Sequence, residues 1–508
     1  MTVTAFRVQN FMGFEDSGWI ELRPITLLFG RNSSGKSALI RALLLLRQSL
    51  DSSPDSGALL FVKDDGYDFG DYREIVRDHD VGQDVLFWFK LQMVASEDTP
   101  AIHKLALDAI YDLVGHPLDT ETSTIQSIST RLIFGVNDLT GTSHLKGFDV
   151  FDKDDDVLFH AAYVSKNADG GTLWEFTSDF FDIGVKEDET VDVNVWPETE
   201  IVTERGFVPR LSVRQGLLEL QELAIYGQNF RRIQRLLESI FSQIASLLVN
   251  LDYLGPLRAA PQRFYYVAGQ GGGMPEQGKE FVRSLVKANP ASLLAINTWL
   301  ATAGFSYRVD LQPLDERKTL YELRLQEVLD EQKAGVSANI REVGFGLTQM
   351  LPIIAQAVLA KPGDTLIIEQ PELHLHPRAQ AELADLFIAM ARNGIRFLIE
   401  THSEHLLLRL RRRIAETTLQ KFKDSHTSSM QNHSTEPKLE ESELGIYFVQ
   451  RVREVSTIEP LRVDNRGEYV AIPEGFSGFF SSDFEEVLKI NLAIAEMNKL
   501  DQNHAPDN

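Results

Sequence analysis

Apolar and polar positions fall into three textures along the chain. Ala5–Phe14 is apolar with polar interruptions, Trp19–Leu22 follows, and Ile25–Phe29 is a nearly continuous apolar run, the pattern of a buried strand. Gly30–Ser37 is then a glycine-punctuated loop. Ala38–Ser49 is apolar on most faces and predicts a helix buried inside a layered fold. From Val81 to Pro209 the texture changes to short alternating runs (Val85–Gln92, Arg131–Gly135, Val157–Val164, Thr172–Thr177) between Gly, Asn and Asp clusters, which predicts hairpins.

Leu217–Leu251 predicts a helix with an amphipathic stretch at Phe230–Leu248. Tyr253–Tyr266 reads as a loop, Gly269–Gly278 as a mobile glycine-rich segment, Phe281–Ala301 as helix, and Tyr307–Gln312 and Tyr321–Leu325 as strands. A second α/β stretch follows: helix Leu347–Leu359, strand Thr365–Glu369, helix Arg378–Ala391, strand Arg396–Glu400 and helix Glu404–Ala415. Alternation of this kind argues for a parallel sheet covered by helices. Lys423–Glu441 is polar without an apolar period and predicts a disordered surface loop. A strand at Gly445–Arg451 and a helix near Asp483–Asn498 complete the pattern. The expected division is 1–80, 81–330 (β-rich, then helical insertion), 331–422, a loop at 423–443 and a small domain at 444–508.

Composition narrows the classes. The 508 residues include no cysteine, which removes disulfides and thiolate metal sites, and carry a formal charge of −24. An acidic excess argues against wrapping nucleic acid over the whole surface, although a local basic patch keeps that partner open. Apolar runs such as Ile40–Leu46 are too short to span a membrane, and no secretory signal is visible, so a cytoplasmic protein is expected.

The chemistry starts at Gly30-Arg-Asn32-Ser33-Ser34-Gly35-Lys36-Ser37, a full G-x-x-x-x-G-K-[ST] loop between a predicted strand and a helix that continues through Ala38. Glycines let backbone N–H groups turn inward around a β-phosphate at a helix N-terminus. Lys36 supplies a cation for the β- and γ-phosphates, and Ser37 a hydroxyl ligand for Mg2+. The expected ligand is ATP with Mg2+.

Such a loop needs a carboxylate on a neighbouring strand, and Thr365–Glu369 ends in one. Gln370 stands where a general base would follow; it can orient water but cannot take its proton. Upstream, Gly344-Phe-Gly346 with Thr348 and Gln349 opens a helix whose N-terminus could reach the γ-phosphate of a nucleotide held by another copy. Downstream, His402 ends a strand and can meet the γ-phosphate or polarise water.

This order of phosphate loop, Gly-x-Gly helix start, acidic strand and strand-end histidine resembles the ABC-type heads of SMC, RecF and OLD proteins. More narrowly, Gly344–Gln349, the Ile368–Pro377 stretch (IEQPELHLHP), Glu400–Ser403 and Pro473–Phe476 with Phe479 and Phe480 resemble a prokaryotic OLD-like AAA ATPase family. The resemblance implies an α/β P-loop NTPase head with a β-rich and helical insertion between the two halves of its nucleotide site. It also implies a homodimer, or higher homo-oligomer, closed by ATP sandwiched between the loop of one copy and Gly344/Gly346 of the other. Members often serve in DNA repair or in two-gene phage defence beside a nuclease. A separate effector, nuclease or toxin, is therefore expected here. Full OLD nucleases carry a further acidic nuclease domain after the histidine; residues 404–508 lack that constellation, so the chain is not itself expected to be a nuclease.

Three readings follow: an ATPase switch for a separate effector in antiviral defence, a RecF/SMC-like DNA-repair or DNA-tethering ATPase, and an ATP-locked scaffold. With Gln370 in the base position turnover is expected to be slow, with Glu400 or Glu372 as substitute bases. Glu372, His374 and His376 also admit a metal reading beside the plainer one of a partner-contacting loop. Asp152–Asp156 reads as a hairpin turn rather than a calcium loop. Arg409 with Arg411–Arg413, and Arg231, Arg232 and Arg235, are the basic clusters that could touch phosphate backbone. Arg258 and Arg263 could sense nucleotide or brace an interface.

Overall fold

In the computed structural model the described residues are 1–52, 57–64, 66–93, 126–137, 140–166, 172–177, 199–205, 207–213, 222–256, 258, 260–267, 280–330, 333–426, 437–473 and 476. The expectations for Gly269–Gly278, Asp483–Asn498 and Phe479–Phe480 lie outside them.

A six-stranded sheet forms the centre, in the order Leu251–Leu254, Thr365–Glu369, Arg396–Glu400, Ile25–Gly30, Leu444–Val452, Val455–Pro460. The first five strands are parallel and the last returns as a hairpin. The central strands are near-continuous apolar runs because both faces are covered. Side-chain alternation sorts them. Leu28, Ile367, Leu398, Tyr447 and Val449 join a core with helices Lys36–Ser49 and Glu222–Val249. Ile25, Leu27, Phe29, Ile368, Ile399 and Phe448 join the opposite core, with helices Phe345–Leu359, Pro377–Arg392 and Glu404–His426.

Above the first core lies a ten-stranded antiparallel sheet running from Val208–Val213 through the hairpins to Thr2–Phe11 and Phe14–Asp16. The β-rich stretch is thus continuous with the N-terminal lobe across the boundary expected at residue 80. Val85–Met93 pairs directly with Thr2–Phe11, which otherwise would present an unpaired edge. Phe87, Phe134, Phe148 and Phe159 fill its inner face, and Phe241 of the long helix meets Phe148 edge-to-face at 5.1 Å. Asp152–Asp156 is a hairpin turn, its backbone N–H groups at 154 and 156 donating to the Asp152 carboxylate.

Further segments differ from expectation: the single helix expected at Phe281–Ala301 is two, Glu280–Lys287 and Pro290–Thr302, and Tyr265–Tyr266 is a strand inside the expected loop. Leu251–Leu254 is an edge strand where the helix was expected to end at Leu251 and a loop to begin at Tyr253; four residues with mixed burial leave too short a pattern to read. Leu444–Val452 belongs to the central sheet, pairing Val449 with Gly30, and so sits in the head itself. The helix opened at Glu404 runs on to His426, into the segment expected as a loop, and Leu439 beyond it is buried. Antiparallel strands at Tyr265–Tyr266, Tyr307–Pro313, Leu320–Asp330 and Lys333–Asn339, with helices Glu280–Lys287 and Pro290–Thr302, lead into the Gly344 helix. Among the described residues no helix is long and apolar enough to cross a membrane.

Candidate nucleotide-binding site

Strand order sets the site. The strand of Glu400 lies between the phosphate-loop strand and the strand of Glu369, so Glu369 and Glu400 are register partners on adjacent parallel strands. By alternation both carboxylates share the face of Ile367 and Leu398, the face covered by the helix that begins at Lys36. The carboxyl ends of parallel strands therefore meet a helix N-terminus, the usual ligand position of such sheets.

The loop itself is closed around its lysine. Lys36 is 3 % exposed; its Nζ donates to the carbonyls of Gly30 (3.0 Å) and Arg31 (2.9 Å) and lies 3.5 Å from Glu400 Oε1. Burial pulls its ammonium below the ordinary lysine value, against the pull of Glu400. Ser37 Oγ donates to Glu400 Oε2 at 2.9 Å. Two glycines are required by close approach. A Cβ on Gly30 (φ 154°) would stand 2.1 Å from the Val449 carbonyl oxygen, and one on Gly35 (φ 110°) 2.7 Å from Ser456 Oγ. Arg31, Asn32 and Ser33 are exposed, Ser33 in the left-handed region; Ser34 and Ala38 are buried. Ser34 Oγ is buried without a hydrogen-bond partner among the described residues.

Glu369 is nearly buried, and its Oε1 accepts from the Tyr253 hydroxyl at 2.8 Å. Burial, then the Glu400 carboxylate alongside, push its acid up to about 7, opposed by Tyr253 and Lys36. Gln370 follows with φ 45°, a left-handed conformation unusual for a side-chain-bearing residue. Glu372 turns inward, accepting from Thr401 Oγ1 (2.8 Å) and the His402 backbone N–H (2.6 Å); burial raises its carboxyl. His402 is half-buried, and burial together with Lys36 lowers its imidazole.

The helix at Phe345–Leu359 starts from Gly344 with no side-chain cap, and nothing lies within 4 Å of where a Gly344 Cβ would be. Phe345 is exposed and stacks edge-on with His374 at 4.7 Å. Gly346 leaves room for the His374 carbonyl, which a Cβ would meet at 2.9 Å. Gln349 is buried, while Gly344 and Phe345 at the start of the helix are exposed.

The structure thus gathers Lys36, Ser37, Glu369, Glu400, Glu372 and His402, and sets Gly344/Gly346 on an open surface. Ser37 meets Glu400 rather than Glu369. The metal reading of Glu372, His374 and His376 does not stand: the three side chains serve His402, Phe345 and the N-cap of the helix at Pro377, and no metal-binding group of such residues occurs among the described residues. Arg409 and Arg413 are spent on Asp385, with Glu382 and Glu416 beside them; Arg411 serves Gly467 and Glu468, and Arg412 serves Glu416. That cluster is internal bracing. The side chains of Arg231 and Arg232 lie outside the described residues. Arg263 pairs with Glu342, and Arg258 is buried. Tyr253 was missed by the sequence reading; the only signal was its place four residues past a helix end, in a stretch too short to show a period.

These features define a mixed α/β P-loop fold of the nucleotide-triphosphatase class. Residues 229–409 match a family described as "AAA domain, putative AbiEii toxin, Type IV TA system"; the match contains Gly344, Glu369 and His402 but not the phosphate loop. No curated protein matches the chain. Similar solved structures include the SMC head domain from Thermotoga maritima (10% identity, TM-score 0.34, covering 91% of this chain and 100% of that one). Another is an SMC head bound to the C-winged helix domain of ScpA (10%, 0.39, 91% and 98%). A third is the head with an extended coiled coil bound to the C-terminal domain of ScpA derived from Pyrococcus furiosus (9%, 0.35, 97% and 99%). Scores this low transfer no function.

Proposed function

We propose that the chain is an ATP-binding, slowly hydrolysing ATPase that closes as a homodimer on ATP and switches a separate effector, a nuclease or toxin, in antiviral defence. The observation that carries the reading is the convergence of Lys36 and Ser37 with Glu369 and Glu400 at the carboxyl ends of the central strands. Oxygen donors of this kind suit Mg2+, held by Ser37 and Glu369; when bound, the ion neutralises phosphate charge. The Ser34 hydroxyl, without a partner among the described residues, and the Lys36 ammonium, now held by two loop carbonyls, fit a loop whose donors turn to phosphate oxygens. Gly30, Asn32, Ser33, Gly35 and Ala38 supply the backbone of that cradle.

In the dimer, the uncapped helix start at Gly344–Gly346 would face the γ-phosphate held by the other copy. Gln370 orients the attacking water without accepting its proton, and loss of a general base costs on the order of 10²–10⁴ in rate. Glu372 has both oxygens occupied by Thr401 and His402, and Glu400 is tied to Lys36 and Ser37; either would have to leave those partners to act as base. The matching family's description names a putative toxin of a type IV TA system, which supports a place for the chain in such a system. Gln370 also favours a second reading, an ATP-locked scaffold. Phosphate release separates them: slow release abolished by Glu369→Gln supports the switch, and release equal to blank with ATP still bound supports the scaffold. No ATP binding at all overturns both.

A further inference from the structure

The acidic end of the site is held from outside the motifs that define it. Tyr253 lies on the edge strand Leu251–Leu254, parallel to Thr365–Glu369, and its hydroxyl meets Glu369 Oε1 at 2.8 Å. The ring is fixed edge-on against Tyr67 at 5.5 Å. Four residues past that strand, Arg258 is 6 % exposed and donates from Nη2 to the Glu369 carbonyl (3.1 Å) and more distantly to that of Gln370 (3.5 Å). It forms no ion pair among the described residues, and its Nε has no partner there. A buried guanidinium spent on carbonyls is costly packing for a plain sheet edge, which apolar residues would close more cheaply. Its two contacts are the carbonyls of the peptide units on either side of the left-handed Gln370, which precedes Pro371.

We infer that this edge element positions the catalytic carboxylate: Tyr253 fixes the orientation of the Glu369 side chain, and Arg258 fixes the backbone turn that aims Gln370. The inference rests on the ATPase reading above. Because the edge strand follows directly from the helix Glu222–Val249 that carries the ten-stranded sheet, it also gives that sheet a covalent route to the site.

Tyr253→Phe keeps the ring against Tyr67 and removes only the donor. Steady-state turnover is measured for it, with KM for ATP, the Mg2+ concentration at half-maximal rate, and Tm. The expected result is a kcat lowered about tenfold and a raised Mg2+ requirement, with KM for ATP and Tm close to wild type. Arg258→Lys, which keeps a donor, should retain more turnover than Arg258→Ala at equal Tm. Wild-type kcat and Mg2+ dependence in Tyr253→Phe would overturn the positioning role alone. A wild-type protein that does not turn over ATP would overturn the ATPase reading and this role with it.

Discussion

Two helix starts make up the proposed site, and they are built in opposite ways. The helix at Lys36 begins inside its own loop: its lysine is bonded to two loop carbonyls and faces Glu400, and the strand Leu444–Val452 and its hairpin press on the loop glycines. The helix at Phe345 begins in the open, uncapped, with free space at Gly344 and an exposed Phe345. Free N–H groups at a helix start carry positive potential and call for an anion or a cap. At the first start the lysine finds its partners within the loop; at the second no side-chain cap is present among the described residues, and in the proposed dimer a second copy would bring its nucleotide there.

Breaking the closed half has the largest expected effect. Lys36→Ala removes a charge-assisted donor to phosphate and should weaken ATP binding roughly a hundredfold, read by fluorescent-nucleotide titration. Breaking the open half should leave the fold intact. Gly344 has an ordinary backbone (φ −58°) and no neighbour to strike, so Gly344→Arg should keep wild-type Tm and monomer ATP affinity. Its ATP-induced association should fall about ten- to hundredfold, since an overfilled contact costs about 1–3 kcal/mol. A lost Tm would place Gly344 in the fold rather than in an interface.

Acid titration sharpens the closed half further. Glu369 is raised to about 7 in the folded chain against an ordinary 4.5, so the folded state holds the extra proton between those values. That contribution to stability is present below pH 4.5 and is lost as pH rises through 7. Nucleotide-free protein should lose Tm between pH 5 and 8, and Glu369→Gln should flatten the loss. The smallest effect is expected outside both halves. Arg412 is exposed and among the described residues pairs only with Glu416, so Arg412→Ala should change neither turnover nor binding to single- or double-stranded DNA by more than about twofold. A clear drop in DNA binding would revive the DNA-tethering reading.

The parts legible in the sequence were those with a local period or a spaced motif. Ile25–Phe29, Thr365–Glu369 and Arg396–Glu400 are buried on both faces and read as unbroken apolar runs, and Gly30–Ser37 needs its residue types at fixed spacing. The pairing of Glu400 with Lys36 and Ser37 was not legible, because it depends on which strand lies between two others. Tyr253 escaped for a related reason: an edge strand of four residues has no period, and its hydroxyl finds Glu369 across 116 positions of sequence. The arginines of Glu404–His426 looked like a surface patch because the carboxylate that absorbs two of them, Asp385, lies on a different helix.

In the proposed dimer the open helix start is completed by a second copy across bound ATP. The direct measurement is the mass of the purified chain in solution with and without ATP·Mg2+, alongside Gly344→Arg. The expected mass is one chain without nucleotide, two with it, and one in the variant under both conditions. A wild-type mass that stays at one chain under saturating ATP·Mg2+, or a dimer equally populated without nucleotide, would contradict it.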